Sequence, residues 1–486
     1  MKSKFLNYSL LMLFLFVFCE ENYCLANNMQ VSNVSFVNDN PVSKTAEIEF
    51  NISWENSWRD SINYDAAWIF LKYKSGSNEW NHLNLSIAGN SLGTGTSSTL
   101  APTQDNIGAF LYRSGISNGN FINNGIRLFW NYGNNGIVSL TNMEVRLIAM
   151  EMVFVPQTVQ FDLKSVTITG VGGNPSNYDV FNVTGSSGWP VLDTSLSLPF
   201  IVNKYEPLSG AYGNQNTTRS IGPIRIDLDH GIDFNNDGII DNINYPTGYQ
   251  SFFCSKYEIS EGQYSDFINC LNSQQVGNIG IAGTSISNVN GVYYASRPNR
   301  SCGKSSEVRV LAYADWSGLR PWTTLELIKA IRGPRSPGFD VSYYRDYWTS
   351  PGPLIGEENG TETYYFAPYA PISNFHNMFE IGWPGFNFGA VRSGIFATAT
   401  SDQNRSGASF YGIMDIVGNC NDPVINFDTS VNFVANHGDG NLSTSGFSNV
   451  TGWNSADIQF YLSGYRPGVA SNISFSNGFR FVRSAY

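Results

Sequence analysis

The first third of the chain alternates apolar and polar residues, as strands that are half-buried in a sheet do. Residues 46–54 read Ala-Glu-Ile-Glu-Phe-Asn-Ile-Ser-Trp, with an apolar or aromatic side chain at every second position. Residues 66–73 are more continuously apolar, which is typical of a central strand. Two further apolar runs, 126–130 and 143–149, are separated by Asn/Gly turns. The pattern predicts an all-β sandwich over residues 27–150.

Tryptophans within these runs allow two interpretations. Exposed aromatic faces stack on sugar rings, which would make the sandwich a carbohydrate-binding module. Trp54, Trp68 and Trp130, however, lie inside apolar strands. Core packing is therefore the favoured role for each of them.

Two short helices are predicted in the second half of the chain. Ser260 and Gln263 have the spacing of a capping box, and Thr323 and Glu326 repeat it. Gly333 is placed to end the second helix in a left-handed conformation. Two short helices among many strands favour an α+β domain over a parallel βαβ sheet, and we assign residues 151–486 to it.

Four phrases of this second half resemble one known family. They are the runs at 255–267 and 319–333, Tyr-Gly-Ile-Met-Asp-Ile-Val-Gly-Asn at 411–419, and Asn-Gly-Phe-Arg at 477–480. In this order they resemble the formylglycine-generating enzyme, or sulfatase-modifying factor, family. The resemblance implies a C-type-lectin-like fold, with residues 157–245 as an insertion that matches the family poorly.

The resemblance also implies an oxidative chemistry that needs a cysteine pair, and this chain has no such pair at the matching position. The family uses a cysteine pair shortly before its final Gly-Phe-Arg, and such thiolates favour copper(I). No cysteine lies between Cys420 and Tyr486. We therefore expect no copper and no catalytic residue, although a divergent oxidoreductase-like enzyme of this family stays an alternative.

The same C-terminal region serves some relatives as a diversified binding surface. Between Phe447 and Phe475 the chain is rich in Tyr, Trp, Asn and Ser, a composition typical of binding loops. The resemblance places the expected contacts just before Gly-Phe-Arg. We predict ligand-binding roles for four residues: Tyr461, Ser463, Tyr465 and Arg466.

One stretch has the spacing of a calcium loop. Oxygen-bearing side chains alternate, a glycine permits the turn, and a further carboxylate follows. A solvated acidic turn is the alternative. The predicted ligands of this structural calcium are Asp233, Asn235, Asp237, the backbone carbonyl of Ile239, and Asp241.

A second calcium position comes from the resemblance alone. The family's Gly-Asn-x-Trp-Glu segment supplies oxygens to calcium, and here the segment reads Gly418-Asn-Cys-Asn-Asp422. Asn419 matches, and the shorter Asp422 stands where the family has Glu. Both are metal candidates, with a structural turn as the alternative.

Residues 1–26 have the pattern of a secretory signal, with Lys2 and Lys4 before an apolar run and Ala26 at the cleavage position. Alternatively, the signal is that of a lipoprotein, with a lipid anchor attached to Cys19. No later segment is long and apolar enough to span a membrane. The net charge of −11 disfavours nucleic acid as a partner. We expect a secreted or cell-surface protein.

Four cysteines remain after the signal: Cys254, Cys270, Cys302 and Cys420. In an oxidising compartment they allow one or two disulfides, with three connectivities if all four pair. Buried free thiols are the alternative.

Three functions stay open from the sequence. The first is an exported, non-catalytic binding or adhesion protein that recognises an extracellular protein or glycan. The second is the divergent enzyme. The third is a self-assembling structural component of a surface layer or appendage.

Overall fold

In this computed structural model the predicted signal segment lies outside the described residues. The side chains and backbone are described for most of residues 29–157 (77–78 excepted), 239–332, 408–416, 419–425, 432–461 and 477–485, and for 390 and 392–394. Elsewhere the description is limited to the short strands between residues 160 and 233, and to those at 354–355 and 363–364.

Strands dominate the described chain. In chain order they are β1 (Gln30–Asn40), β2 (Thr45–Arg59), β3 (Asp65–Ser75), β4 (Asn81–Leu83), β5 (Thr94–Gly95), β6 (Ser98–Pro102), β7 (Ala109–Arg113), β8 (Ser117–Asn131), β9 (Met143–Val155), β10 (Gln160–Asp162), β11 (Ile168–Thr169), β12 (Pro175–Ser176), β13 (Phe181–Val183), β14 (Val191–Asp193), β15 (Phe200–Pro207), β16 (Thr218–Asp227), β17 (Gly231–Asp233), β18 (Phe252–Ser255), β19 (Ile286–Val289), β20 (Val292–Ala295), β21 (Trp322–Thr323), β22 (Leu354–Ile355), β23 (Thr363–Tyr364), β24 (Asp422–Ile425), β25 (Ile458–Tyr461) and β26 (Val482–Ser484).

The helices are short and lie between the strands. They are α1 (Glu261–Ile268), α2 (Ser273–Ile279), α3 (Glu307–Trp316) and α4 (Thr324–Arg332), with 3-10 turns at Tyr132–Asn135 and Ser455–Asp457. None of the helices in the described part of the chain has the length and apolar character that crossing a bilayer requires.

Two antiparallel sheets enclose an apolar core in the N-terminal part. One sheet has the order β1-β2-β8-β5, and it faces the larger sheet that contains β3, β7 and β9. Alternate residues of β2 are buried, as the apolar–polar alternation requires. Trp54, Trp68 and Trp130 are each at most 1% exposed, which confirms core packing as their role.

The larger sheet runs across the predicted boundary at residue 150. Its order is β26-β18-β9-β3-β7-β6, with β4 on β3. The boundary falls inside β9, which pairs with β3 along residues 143–153 and with β18 at residues 152–155. One sheet therefore contains strands from both predicted units, including β26 near the end of the chain.

A buried ionic cluster joins the two halves at this sheet. Lys256 Nζ lies 3.2 Å from a Glu151 oxygen and 3.8 Å from an Asp65 oxygen. Asp65 also accepts hydrogen bonds from the indole of Trp54 and the hydroxyl of Ser57, both at 2.9 Å. Buried charges that are paired and hydrogen-bonded in this way fix the relative position of the segments that carry them.

Both predicted capping boxes are confirmed. Ser260 Oγ accepts from the backbone of Gln263, whose side chain accepts from the Ser260 N–H at 3.0 Å. Thr323 and Glu326 make the same reciprocal pair at the start of α4. Gly333, the predicted end of α4, lies outside the described residues. Both predicted helices therefore begin where the sequence placed them, whereas α2, which has its own Asn272–Gln275 capping box, and α3 were not predicted.

The prediction of an α+β, C-type-lectin-like fold is wrong. Strands hold 42% of the well-defined part of the chain and helices only 14%, in several antiparallel sheets. Capping boxes specify where a helix begins, but they carry no information on how much of the surrounding chain forms strands. The helices here have seven to ten residues and attach to sheets, which makes the architecture mainly β.

Candidate functional site

The base of the predicted calcium loop is closed by backbone hydrogen bonds. The N–H groups of Asp241 and Asn242 both donate to the Ile232 carbonyl at 3.0 Å. These bonds bring residues 232–233, at the end of β17, beside residues 241–242, and we call these four residues the neck of the loop. Asp233 therefore lies close to Asp241. The Asp233 side chain is fully buried, whereas Ile239 is 70% exposed at the outer part of the loop.

The remaining predicted ligands of this loop, Asn235 and Asp237, lie outside the described residues. Within the described part of the chain, no three His, Cys, Asp or Glu side chains are grouped as metal ligands. The backbone hydrogen bonds thus place two residues of the predicted ligand set, Asp233 and Asp241, close together in the chain's fold. Calcium at this loop stays a prediction.

Asn242, next to the neck, connects the loop to the C-terminal part of the chain. Its side-chain Nδ2 donates to the Phe433 carbonyl at 2.6 Å. Phe433 is fully buried and begins the segment that leads into residues 437–460. The neck of the loop is therefore bonded directly to that segment.

The second predicted calcium position holds a hydrogen-bonded turn. Asn419 Nδ2 donates to Glu258 and to Ser301, both at 2.5 Å. Asp422 accepts from the Arg480 guanidinium at 2.8 Å, so a protein cation faces this carboxylate. Burial raises the pKa of Glu258 well above its usual range, which favours a neutral carboxyl that is a poor calcium ligand. The geometry is that of the structural turn.

The four cysteines are all buried free thiols in the structure, so the disulfides that the sequence allowed are not formed. Burial raises the pKa of each thiol, in the case of Cys270 to about 11. At neutral pH these groups are protonated, and a protonated thiol is neither a good nucleophile nor a soft metal ligand.

Residues 437–460, which we call the C-terminal loop, are held against the core by a carboxylate. Asp315, near the end of α3, accepts from the backbone N–H of Asp439 at 3.1 Å and of Asn449 at 3.0 Å. The Gly440 N–H donates to the Asp315 carbonyl at 3.0 Å. Burial raises the pKa of Asp315 to about 6.

A buried lysine makes the second attachment of the C-terminal loop. Lys72 Nζ, on β3, donates to the Trp316 carbonyl at 2.6 Å and to the Gly440 carbonyl. Its third neighbour is His82 Nδ1 at 3.2 Å. The His82 backbone N–H also donates to the side chain of Asn441, at 3.0 Å. The loop is thus fixed to the sandwich and to α3 together.

Sequence reasoning missed Lys72, His82 and Asp315. Lys72 is 368 positions away from Gly440. No local pattern signals such a contact. The one available hint was a lysine within the continuously apolar run of β3.

The predicted ligand-binding residues are only partly described. The backbone of Tyr461 ends β25, paired with Asp422 of β24. Ser463, Tyr465 and Arg466 lie outside the described residues. The structure therefore describes the approach to the predicted contacts and leaves their roles as predictions.

Comparison with family models and with curated proteins gives no match to this chain. The resemblance to the formylglycine-generating enzyme family stays a prediction from the sequence.

Proposed function

We propose that this is an exported, non-catalytic binding or adhesion protein that recognises an extracellular protein or glycan through its C-terminal loops. The observation that carries the proposal is the attachment of residues 437–460 to a rigid core through Asp315 and Lys72. Loops held on a rigid scaffold are where recognition residues concentrate, because less ordering is needed on binding.

The composition of the attached loop supports this proposal. Phe447 is 40% exposed, although both of its flanks are tied to the core. On one side Gln275 of α2 donates to the Ser443 carbonyl at 3.2 Å, and on the other Asp315 accepts from the Asn449 N–H at 3.0 Å. An exposed aromatic ring on an ordered backbone is a typical anchor for a ligand, and the Ser and Asn residues beside it supply adaptable hydrogen bonds.

The state of the thiols supports a non-catalytic function. Each described cysteine is buried, with a pKa raised by burial, and Cys420 packs against Gly478 rather than facing a cleft. The stretch before Gly-Phe-Arg contains no cysteine. Among the described residues, these thiols do not offer the exposed cysteine pair that oxidation of a substrate thiol would need.

Calcium belongs to the proposal as a structural ion. A cation at the neck of the 233–241 loop would fix Asp233 beside Asp241 and, through Asn242, the Phe433 segment. Its contribution would be indirect, by ordering the chain that leads into the C-terminal loop.

The test is a binding screen of residues 27–486, by glycan array and by pull-down from extracellular protein, with and without calcium. Phe447→Ser should abolish capture of the selected ligand. The matched control is Val138→Ser, because Val138 is also exposed (73%) but lies in the N-terminal part. Equal capture by both variants would refute recognition through this loop, and large ordered assemblies without any ligand would favour the structural alternative.

A further inference from the structure

Strand β9 has one edge that is only partly paired. Along residues 143–153 its other edge is bonded to β3. On the open side β18 reaches only residues 152–155, and the Lys256 N–H adds a last bond to the Glu151 carbonyl at 2.9 Å. Beyond this point the chain turns away into α1. In the described part of the molecule no strand pairs with residues 143–150 on that side.

The direction of the backbone groups along this edge follows from strand alternation. The Phe154 N–H donates to Tyr64 on the β3 side, whereas Glu151 accepts on the β18 side. The β3–β9 register has no irregularity, so the two directions alternate along the strand. The N–H and C=O groups of Val145, Leu147 and Ala149 therefore face the open edge. Within the described residues nothing bonds to them there.

A cavity of about 540 Å³ lies along this edge. Its floor is β9, and one wall is the start of β1, with Met29, Val31 and Val34. These side chains pack with those of Val145, Leu147 and Ala149 in one apolar cluster. This wall of the cavity is apolar.

The opposite wall is polar and belongs to α1 and its surroundings. Gln263, Asp266 and Cys270 line it, together with Arg146 of β9. The Arg146 guanidinium is held 4.6 Å from the centre of the Trp80 ring, and its Nη1 lies 3.8 Å from Cys270 Sγ. The cavity is thus a groove with an apolar side and a polar side, and between them lie backbone groups to which no described residue is bonded.

We propose that this groove binds an extended peptide segment of a partner protein, which adds to the large sheet as a strand beside β9. Side chains of an added strand alternate between the two faces of the sheet. The peptide would therefore place apolar side chains against Val31 and Val34, and polar ones towards Arg146 and Asp266.

The choice of a peptide rests on the spacing of the backbone groups. Donors and acceptors that recur at every second residue, about 7 Å apart, match another extended backbone and give strand addition its affinity. Residues 145–149 span about 17 Å, enough for roughly five peptide residues. The groove is separate from the C-terminal loop, so a test of peptide binding in the groove can fail or succeed independently of the proposed function.

A display library of random decapeptides, selected on the full mature chain, provides the probe. Selected peptides should carry apolar residues at alternate positions. Leu147→Pro removes an N–H that faces the groove and leaves the neighbouring bonds to β3. Proline is tolerated in a strand at such a position, where the lost N–H makes no bond within the sheet. This variant should bind the selected peptides with about tenfold lower affinity, while its unfolding temperature stays close to that of the wild type.

A second variant avoids any change to the backbone. Val34→Glu places a carboxylate in the apolar wall and should weaken the same peptides to a similar extent. Peptides that bind the wild type and both variants equally would overturn the proposal, as would a selection that yields no binders.

Amide hydrogen exchange tests the open edge without a ligand. In the free protein the amides of Val145, Leu147 and Ala149 should exchange at least about tenfold faster than those of Ile148 and Met150, which bond to β3. A selected peptide should slow the first three amides. If they are already as protected as their neighbours in the free protein, the edge is covered by this chain or by a second copy, and the proposal is wrong.

Discussion

Replacing the buried Lys72 by methionine gives the sharpest prediction about the attachment of the C-terminal loop. Lys72 is 1% exposed, and burial lowers its pKa from 10.5 to about 7. When it is protonated, its three N–H groups meet three acceptors: the Trp316 and Gly440 carbonyls and His82 Nδ1. The assignment of Nδ1 as acceptor follows because Nε2 lies 2.8 Å from the Ile107 carbonyl, to which it must donate.

The sign of the pH effect follows from the lowered pKa of this lysine. Between about pH 7 and about pH 10.5 the unfolded chain keeps the Lys72 proton and the folded protein releases it. The unfolded state then binds more protons, so the stability of the wild type rises with pH in this window. From about pH 7 to about pH 9 the rise from this residue amounts to about 2 kcal/mol. Methionine does not titrate, so the variant lacks this contribution.

Urea unfolding at the two pH values measures this difference. The wild type should gain about 2 kcal/mol relative to Lys72→Met between about pH 7 and about pH 9, whatever the absolute stability of the variant. Lys74→Met is the matched control on the same strand, because its side chain is partly exposed and paired with Glu144 at 3.0 Å. The reasoning would be refuted if the free energy of unfolding of the wild type minus that of Lys72→Met stays constant, or falls, from the lower to the higher pH.

Three further predictions address the buried pair, the calcium loop and the thiols. Asp422→Asn should lower the free energy of unfolding by about 3–5 kcal/mol, because it removes the carboxylate that pairs with the buried Arg480 guanidinium. The control is Glu144→Gln, at a more exposed ion pair, which should lower the free energy of unfolding by about 1 kcal/mol or less in the same urea titration. A calcium chelator should lower the unfolding temperature of the wild type and of Asp60→Asn, an exposed control outside the loop. It should not lower that of Asp241→Asn, which lacks a predicted ligand. An unchanged unfolding temperature of the wild type would refute a structural calcium ion. A thiol-specific reagent should modify none of the four cysteines in the native protein and all of them in denaturant; fewer reactive thiols in denaturant would mean that disulfides form after all.

The features that the sequence predicted well are those determined by neighbouring residues. The Ser260–Gln263 and Thr323–Glu326 capping boxes need only a spacing of three residues, and both form. The alternation in residues 46–54 likewise places Trp54 in the core. These signals are short-range, so one sequence is enough to recognise them.

Features that depend on distant segments were missed or misjudged. In the large sheet β26 pairs with β18, more than 200 positions earlier, and β18 pairs with β9, about 100 positions earlier. Gly440 lies 368 positions from Lys72, and Asn449 lies 134 positions from Asp315. Two locally convincing helices therefore suggested an α+β fold, whereas long-range strand pairing produced a mainly β one.

The most direct test of a non-catalytic scaffold is incubation of purified residues 27–486 in air with a cysteine-containing peptide from a sulfatase, with and without added copper. Mass spectrometry then measures conversion of the peptide thiol to an aldehyde. We predict that the peptide stays unchanged, because every described thiol is buried and the stretch before the last Gly-Phe-Arg carries none. Catalytic formation of the aldehyde would contradict the account.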